Sequence, residues 1–479
     1  MIQPSHSAAA ESAHIAQASL LQPIDASQRI DVLDILRGFA LIGILLMNIE
    51  WFSRPLNELG SFSSQLSGID HAVGWLIACF VQGKFYKLFA LLFGMGFAVM
   101  LQRAIDAGRP FTMWFVRRMG VLFIIGCLHM ILLWNGDILH DYAVAGLLLL
   151  GFLGLLRRPR WQHYQQPAAM LKLALWWLAI PPILVLVVGI GFNVLSDRHE
   201  LEQRWHFNQQ VEQVLQQLKA RADSTEQSAP LDLPADAEKL DSPEYEARQR
   251  FEEWQQQEQE KAAEIHAFRY GSYAQATAER IKIAGQWLLF TPFFAVMQLL
   301  PIFILGYWLV SSGIITHYQQ HAGLFRVMRN VGLSAGLPLS IGGFGISVHP
   351  AVEHVTEIQF SGEFMFTCGE YFMAAGYLGL LLSWLQHQRW QRRLAILAPL
   401  GRMALSNYLM HSIILTTVFY GYAGGWYGQI ARAPQMLLVL AILTVQIPLS
   451  VWWLRYFRFG PMEWLWRSLT YQQWQRFRL

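Results

Sequence analysis

Long apolar runs dominate this chain of 479 residues and constrain its fold more than any other feature. A run of about twenty apolar residues can cross the hydrocarbon core of a bilayer as a helix. The clearest runs cover 176–195, 283–310, 364–385 and 436–454. The chain is therefore predicted to be an all-α polytopic membrane protein, and its charged fraction of only 14% agrees with that class.

Ten spans can be placed by apolar length, and they divide the chain into five segments. The predicted spans cover 33–52, 72–102, 115–134, 139–156, 171–195, 283–311, 324–345, 362–386, 404–420 and 434–455. The segments are a disordered cytoplasmic tail (1–28), an N-terminal membrane bundle (29–195), a periplasmic helical insertion (196–280), a C-terminal membrane bundle (281–458) and a basic cytoplasmic tail (459–479). The second span is too long for one straight helix. Gln82-Gly83-Lys84 is predicted to break it and to leave a short interfacial helix before the true span.

The distribution of Lys and Arg predicts how the chain is oriented. The connections 103–118, 157–160 and 387–402 are rich in arginine, whereas 135–141 and 346–361 contain no Lys or Arg. Basic connections stay in the cytoplasm. Both termini are therefore predicted to be cytoplasmic, in a bacterial inner membrane. The formal net charge of +3 is too small to suggest a nucleic-acid partner.

The segment 196–280 interrupts the membrane pattern because it is rich in Gln, Glu, Ala and Arg. The stretches 201–219 and 243–267 have helical periodicity with a mostly polar surface, which predicts a soluble helical hairpin on the periplasmic side. In a functional interpretation the hairpin is a lid or an arm that docks a partner. In the alternative it is an insertion that only packs on the outer face.

The first span carries the densest polar signal. Asp34, Arg37 and Asn48 follow helical spacing along one face, and Asp34 can pair with Arg37 at i and i+3. In a functional interpretation, Arg37 holds an anionic group such as a phosphate, and Asn48 orients a reacting carbonyl. In the structural alternative, the charges form only an ion pair and Asn48 an interhelical hydrogen bond. The cost of charges inside a span favours the functional interpretation.

A short outer turn at 135–142 contains two acids and a histidine. Asp137 and Asp141 lie at i and i+4 with His140 between them, so a helical segment would allow His140 and either Asp to form an acid–base pair. The alternative is a capped turn with solvated side chains. The spacing fits no dedicated metal-ligand motif.

Three further polar residues are candidates at weaker sites. His71 follows Asp70 at the outer start of the second span and is a candidate general base, although Asp70 there is also an ordinary helix N-cap. Asn407 and His411 lie at i and i+4 and share a helix face. A lone histidine on an apolar face is more often a satisfied core residue than a catalyst.

The run DILRGFA at 34–40 belongs to a set of motifs distributed along the chain. The set covers 29–48, 83–85, 91–97, 136–139, 401–408 (GRMALSNY) and 459–467 (FGPMEWLWR). Together these motifs resemble the YeiB-like family of bacterial inner-membrane proteins, and the second half is similar to domain-of-unknown-function 418. The resemblance implies a multi-pass inner-membrane protein, in a family that is loosely linked with transport.

The first span is also similar, more distantly, to membrane acyltransferases that modify sugars. These are the acyltransferase-3 proteins and the lysosomal heparan glucosaminide acetyltransferase, which use a cytoplasmic acyl-CoA and acylate a sugar on the far side. Arg37 matches their arginine, whereas Asn48 replaces the histidine of the acyltransferase-3 proteins. The glucosaminide enzymes look closer, since they carry Asn there and place their essential histidine in the outer loop that follows. That resemblance points to His71 first and His140 second.

The favoured function is transmembrane acyl transfer, with acyl-CoA as co-substrate entering from the cytoplasm. A His–Asp pair near the outer face would deprotonate a periplasmic glycan or small-molecule acceptor. A transporter using the same polar path is the alternative, and a non-catalytic subunit that docks partners through 196–280 is a third. The predicted catalytic residues are His71, His140 and Asp137, and the predicted substrate-binding residues are Asp34, Arg37, Asn48, Asn407 and His411. Membrane lipids are the other expected partner. No metal ion is expected, and homodimer formation stays open.

Overall fold

The computed structural model describes residues 31–55, 68–194, 198–223, 242–349 and 356–479. The predicted tail 1–28 lies outside these residues. The described chain is helical apart from connecting turns and one isolated bridge between Phe457 and Arg478. Its α-helices are α1 (Asp31–Ser53), α2 (Gly68–Phe80), α3 (Lys84–Asp106), α4 (Thr112–Leu132), α5 (Leu139–Leu155), α6 (Pro167–Val194), α7 (Arg198–Asp223), α8 (Pro243–Ile265), α9 (Tyr273–Phe294), α10 (Leu300–Ser311), α11 (Ala322–Ser347), α12 (Thr356–Trp384), α13 (Gln388–Leu394), α14 (Leu397–Arg402), α15 (Ala404–Phe419), α16 (Arg432–Trp453) and α17 (Pro461–Tyr471).

The all-α polytopic class is confirmed, but the count of ten spans is not. Among the described residues, seven helical units are long and apolar enough to cross a membrane, or eight if a bent pair counts as one. Three predicted spans fall outside the seven. The span 139–156 is α5, and the short helix Pro159–Gln165 that follows it is bent by 113° relative to it. The span 404–420 is α15, which is apolar but shorter than a full span. The span 324–345 is α11, which is not one of the seven units.

The predicted break at Gln82-Gly83-Lys84 is present. Gly83 adopts a left-handed φ of 75°, a conformation that favours glycine, and α3 begins at the next residue. The Lys84 ammonium donates to the carbonyl of Ala78 at 2.8 Å and so satisfies an acceptor at the end of α2. The two helices nevertheless form one apolar unit of 39 residues. The predicted break into two helices is therefore confirmed, whereas the interfacial position of α2 stays a prediction.

The polar segment between the two sets of apolar helices contains the predicted pair of helices, α7 and α8. Val211, Leu215 and Leu218 on α7 form a small apolar cluster with Ala247 on α8, and Phe251 packs against it. One narrow apolar stripe on each helix is enough to pair them, and this explains why the remaining surface is polar.

Close helix crossings bring the polar ends of the two halves together. A Cβ atom on Gly401 of α14 would overlap the backbone oxygen of Asp34 on α1, and one on Gly38 would overlap that of Leu397. Glycine at both positions lets α1 and α14 approach to backbone contact. The crossing places Asp34 and Arg37 beside the C-terminal half of the chain.

Candidate functional site

A cavity of about 250 Å³ lies at the end of the bundle where α1 begins. It is bounded by parts of α1, α3, α4, α5, α14, α15 and α17, and its apolar wall includes Phe89, Leu92 and Phe93. Its charged lining residues are Arg37, Arg103, Arg118, Arg402, Arg458 and Arg467, with Asp34 and Glu463 as the acids. The cavity therefore joins an apolar wall to an excess of positive charge.

The predicted pair on the first span is present and faces this cavity. Nη1 of Arg37 donates to Oδ1 of Asp34 at 2.8 Å, and the Arg37 side chain keeps 29% of its surface exposed. Arg37 also lies over Gly96 of α3, where a Cβ atom would be only 3.3 Å from its Nη2. Asn48 is half-buried and does not line the cavity. The structure therefore brings two of the three stripe residues to the site.

Arg118 is the most deeply buried cation of the cavity. Its guanidinium stacks 3.7 Å from the ring centre of Trp466, whose indole N–H donates to the Arg118 carbonyl at 2.9 Å. Nε of Arg118 has no hydrogen-bond partner among the described residues. The charges of Arg467 and Arg37 act on it at close range. Repulsion among clustered guanidinium groups is relieved when an anion binds between them.

Glu463 connects α17 to the start of α15. Its Oε1 accepts hydrogen bonds from the backbone N–H groups of Leu405 at 2.7 Å and Ser406 at 3.1 Å. Its Oε2 accepts one from the Ser406 hydroxyl at 2.5 Å. Burial raises the pKa of Glu463 above its usual range, although these hydrogen bonds lower it in part. The C-terminal segment 459–479 thus contains a helix that closes one side of the cavity.

A buried relay of polar side chains lies beside the inner end of the cavity. Nδ1 of His129 is 2.8 Å from Oδ1 of Asp137, and Nε2 of His129 is 2.7 Å from Oγ of Ser412. The second oxygen of Asp137 contacts Nδ1 of His140 at 3.0 Å, and Nε2 of His140 lies 3.4 Å from Asp141. We call these five residues the His–Asp relay.

Local sequence explains how the relay is assembled. Gly126 on α4 faces the turn between α4 and α5, and a Cβ atom there would lie 2.6 Å from the backbone N of His140. Asp137 accepts that N–H at 3.1 Å and so caps the start of α5. Burial raises the pKa of Asp137, but hydrogen bonds from His129 and His140 outweigh it and hold the pKa below its usual range. The turn at 135–142 is capped, as the alternative interpretation of this turn predicted. Its acids, however, are buried and paired with histidine rather than solvated.

Tyr408 separates the cavity from the relay. It lines the cavity, and its ring centre lies 5.2 Å from that of His129. Trp134 also lies 6.3 Å from His129 and stacks on Phe52. His129 therefore has two aromatic neighbours, and of these two Tyr408 lines the cavity.

The remaining predicted site residues lie elsewhere. His71 is exposed on α2, with its ring 6.3 Å from that of Trp75, and does not line the cavity. His411 is buried and its Nε2 is 2.7 Å from Gln446 of α16. The amide of Asn407 donates to the Leu400 carbonyl and to Ser450. Asn407 and His411 thus contact neighbouring helices and do not line the cavity, and their predicted role in substrate binding stays a prediction.

Sequence reasoning missed His129, Ser412 and Glu463. His129 lies about two turns before Asp137 in the sequence, on the last turn of α4, and Asp137 lies in the short connection to the antiparallel helix α5. This spacing could have predicted that the two side chains lie together. Ser412 and Glu463 gave no local signal, because their partners lie 283 and 57 residues away.

Comparison with known proteins gives relatives over nearly the whole chain. The model of a protein of unknown function (DUF418) matches residues 309–473. The chain is 31% identical over 473 residues to the uncharacterized protein YxaH of Bacillus subtilis, covering 95% of this chain and 98% of that protein. It is 28% identical over 450 residues to the uncharacterized protein YeiB of Escherichia coli, covering 91% and 95%. No solved structure matches significantly. The names of these relatives state no activity.

Proposed function

The chain belongs to the YeiB-like family of multi-pass membrane proteins, and on that premise we propose that it transfers an acyl group from acyl-CoA to an acceptor reached from the opposite face of the membrane. One observation carries the proposal. An apolar cavity has arginines at one end, and its lining residue Tyr408 contacts His129 of a buried His–Asp relay. An anionic donor that bears a thioester fits the cavity with its arginines, and the His–Asp relay can transfer the proton that the reaction requires.

The arginines suit the phosphate groups of coenzyme A. Guanidinium groups bind phosphate through paired N–H donors, and the like charges of Arg37, Arg118 and Arg467 favour an anionic occupant. A cavity of about 250 Å³ is smaller than the roughly 300–1,000 Å³ of sites that enclose drug-sized ligands. We therefore assign it to the acyl-pantetheine arm, with the nucleotide at the arginine-lined entrance.

The relay supplies the proton chemistry. Asp137 holds one histidine on each of its oxygens, so either ring is oriented to take a proton from an acceptor hydroxyl or amine. In this proposal His129 and His140 take precedence over His71, since the structure does not bring His71 to the cavity.

Sidedness is part of the proposal. Arginine-rich connections mark the cavity end as cytoplasmic, in an inner membrane, and the α7–α8 pair as periplasmic. In cells carrying Gln256→Cys or Arg158→Cys, the first variant should react with an impermeant maleimide and the second only after permeabilisation. Both positions are exposed, so access to the membrane face decides the result. The reverse pattern would overturn the orientation.

The activity test is CoA release from labelled acyl-CoA by the purified protein, with sugars and small amines as acceptors. Arg118→Gln should weaken donor use, whereas Arg389→Gln, an exposed arginine outside the cavity, should not. An S-acyl pantetheine without phosphates should be a poor donor for the wild type. If phosphate-free donor works equally well, the arginines do not bind coenzyme A. If no donor and acceptor give CoA release, acyl transfer is excluded.

Transport through the same path is the second candidate. It is favoured by the two aromatic neighbours of His129, Tyr408 and Trp134, whose side chains would gate a path past the relay. Proteoliposomes that show no CoA release but accumulate a labelled anionic solute, with loss in Asp137→Asn, would support transport instead.

A further inference from the structure

We propose that Ser412 is a nucleophile that receives the acyl group as a covalent ester before it passes to the acceptor. This inference rests on the proposed acyl transfer and adds a second step to it. It assigns catalysis to a residue in the segment that matches DUF418, with its base in the part of the chain that precedes this segment.

The geometry is that of an activated serine. Oγ of Ser412 lies 2.7 Å from Nε2 of His129, and Nδ1 of the same ring lies 2.8 Å from Asp137. A hydroxyl, a base and a carboxylate that orients the base are the three parts of a nucleophilic triad. All three residues are buried, with exposures of 1% for Ser412, 3% for His129 and 6% for Asp137.

The direction of the hydrogen bonds follows from the carboxylate. An ionised Asp137 can only accept, so Nδ1 of His129 carries its hydrogen. A general base acts in its neutral form, in which Nε2 of this tautomer presents a lone pair. Ser412 is therefore the donor in the bond to His129. His140 holds the other oxygen of Asp137 and keeps the carboxylate in place.

Packing alone does not require this arrangement. Hydroxyl side chains inside membrane helices commonly donate to the carbonyl one turn earlier. Thr417 on the same helix does so at 2.7 Å, and Ser383 of α12 does so at 2.6 Å. Ser412 instead reaches a histidine on another helix. The sequence therefore places a base where a backbone acceptor would satisfy the hydroxyl.

Tyr408 controls access to Ser412. It lies one turn before Ser412 on the same face of α15, between the cavity and His129. Ser412 does not line the cavity, so the proposal requires a change of the Tyr408 side-chain rotamer that extends the cavity along α15 to the serine hydroxyl. The thioester of a donor whose phosphates sit at the arginines then reaches Oγ of Ser412.

The step balances without any further reactant. Oγ of Ser412 attacks the thioester carbonyl, its proton moves to Nε2 of His129, and the C–S bond breaks. The CoA thiolate takes the proton from His129 and leaves as the free thiol. In the second step an acceptor hydroxyl or amine attacks the serine ester while His129 takes its proton. The bond between the acyl carbon and Oγ then breaks, and His129 returns the proton to Oγ, which regenerates the Ser412 hydroxyl.

The first experiment needs no acyl donor. A fluorophosphonate probe forms a P–O bond with an activated serine and expels fluoride, and the labelled residue is identified by mass spectrometry of the full-length protein in detergent. Labelling at Ser412 is expected in the wild type, or in Tyr408→Ala if the ring blocks the probe. It should be lost in Ser412→Ala and His129→Gln. Ser340→Ala, which removes a buried serine of α11, should keep it. Folded wild type and Tyr408→Ala that both stay unlabelled at Ser412 would overturn the proposal.

The second experiment separates this inference from the proposed function. Ser412→Ala should lower CoA release by roughly 10³-fold or more, and labelled acyl-CoA without acceptor should leave a label on Ser412. As an oxygen ester, that label should resist neutral hydroxylamine and be removed by alkaline hydroxylamine. If Ser412→Ala releases CoA at the wild-type rate, the serine is not the nucleophile, whereas acyl transfer stands. If the probe labels Ser412 but no acyl-CoA is consumed, the activated serine stands and acyl transfer fails.

Discussion

Nε2 of His129 lies 2.7 Å from Oγ of Ser412, although 283 residues separate the two along the chain. The contact joins the part of the chain that precedes the DUF418 match to the part that the match covers. The cavity is divided in the same way, with Arg37 and Arg118 from the first part and Arg402 and Arg467 from the second. A DUF418 segment by itself therefore lacks half of the candidate site.

Asp137→Asn should abolish acyl transfer while leaving the protein folded. The amide has the shape of the carboxylate but can hold His129 in the wrong tautomer, a change that costs about 10⁴-fold in turnover in serine triads. CoA release and a thermal melt measure the two effects. Asp106→Asn, an exposed position at the end of α3, is the matched control. A folded Asp137→Asn variant with turnover close to that of the control would contradict the role of the relay.

Arg37→Lys should weaken acyl-CoA binding, and Arg37→Ala should weaken it further. Lysine keeps the charge but cannot offer paired N–H donors to a phosphate. Binding is measured by fluorescence with a labelled acyl-CoA on variants whose melting is unchanged. If the pair with Asp34 serves only the fold, Arg37→Ala should express poorly and a folded Asp34→Asn/Arg37→Gln double variant should bind donor normally.

The sequence predicted those parts of the molecule that depend on local pattern. Apolar length placed the helices, helical spacing placed Asp34 beside Arg37, and the mixed turn at 135–142 drew attention to His140 and Asp137. Each of these relations spans less than two helical turns or one short connection.

The parts that could not be predicted depend on which helices become neighbours. The sequence around Ser412 or Glu463 does not indicate which residue each will contact. These contacts form only when the bundle assembles and α15 packs against α4 and α17. The number of arginines in each connection predicted the orientation of the chain. It did not predict that several arginines line one cavity, because that depends on how the helices pack. His71 shows the converse, since a suitable residue type in a suitable connection lies on an exposed helix face.

Glu463 should make stability depend on pH in the mildly acidic range. Burial raises the pKa of its carboxyl in the folded state, so the folded protein binds a proton more tightly than the unfolded chain does. The penalty for ionising Glu463 is absent at low pH and grows as pH rises from the unfolded pKa to the raised, folded one. Glu463→Gln should therefore gain thermal stability relative to the wild type as pH rises through that window.

Melting temperatures of the wild type and of Glu463→Gln are compared between pH 4 and 8. Groups that titrate elsewhere in the chain contribute equally to both proteins, so their effect cancels in the difference. Glu463→Ala separates the effect of the carboxylate charge from the effect of the hydrogen bonds that Glu463 accepts at the start of α15. It removes both the carboxyl and the acceptor of two backbone N–H groups at the start of α15, so it should be about 0.5–2 kcal/mol less stable than Glu463→Gln at every pH. A wild type and Glu463→Gln whose melting temperatures differ by a constant amount over the whole range would contradict the raised pKa.

The Lys87–Glu370 ion pair connects α3 to α12 inside the apolar bundle. The ammonium lies 2.5 Å from Oε2 of Glu370, donates to the Gly83 carbonyl at 3.1 Å and sits over the ring of Tyr371. Both side chains are almost wholly buried, at 4% and 12% exposed. A charge in such a place is tolerated only while its partner is present.

Glu370→Gln should therefore destabilise the protein by about 3–5 kcal/mol, because it leaves the Lys87 charge buried and uncompensated. A Lys87→Met/Glu370→Leu double variant removes both charges and should recover most of the loss. Glu363→Gln, at an exposed position on the same helix, controls for the chemical change alone and should melt like the wild type. Melting in detergent and the yield of monodisperse protein measure the effect. If the double variant melts as low as Glu370→Gln, the glutamate stabilises α12 through something other than its pairing with Lys87.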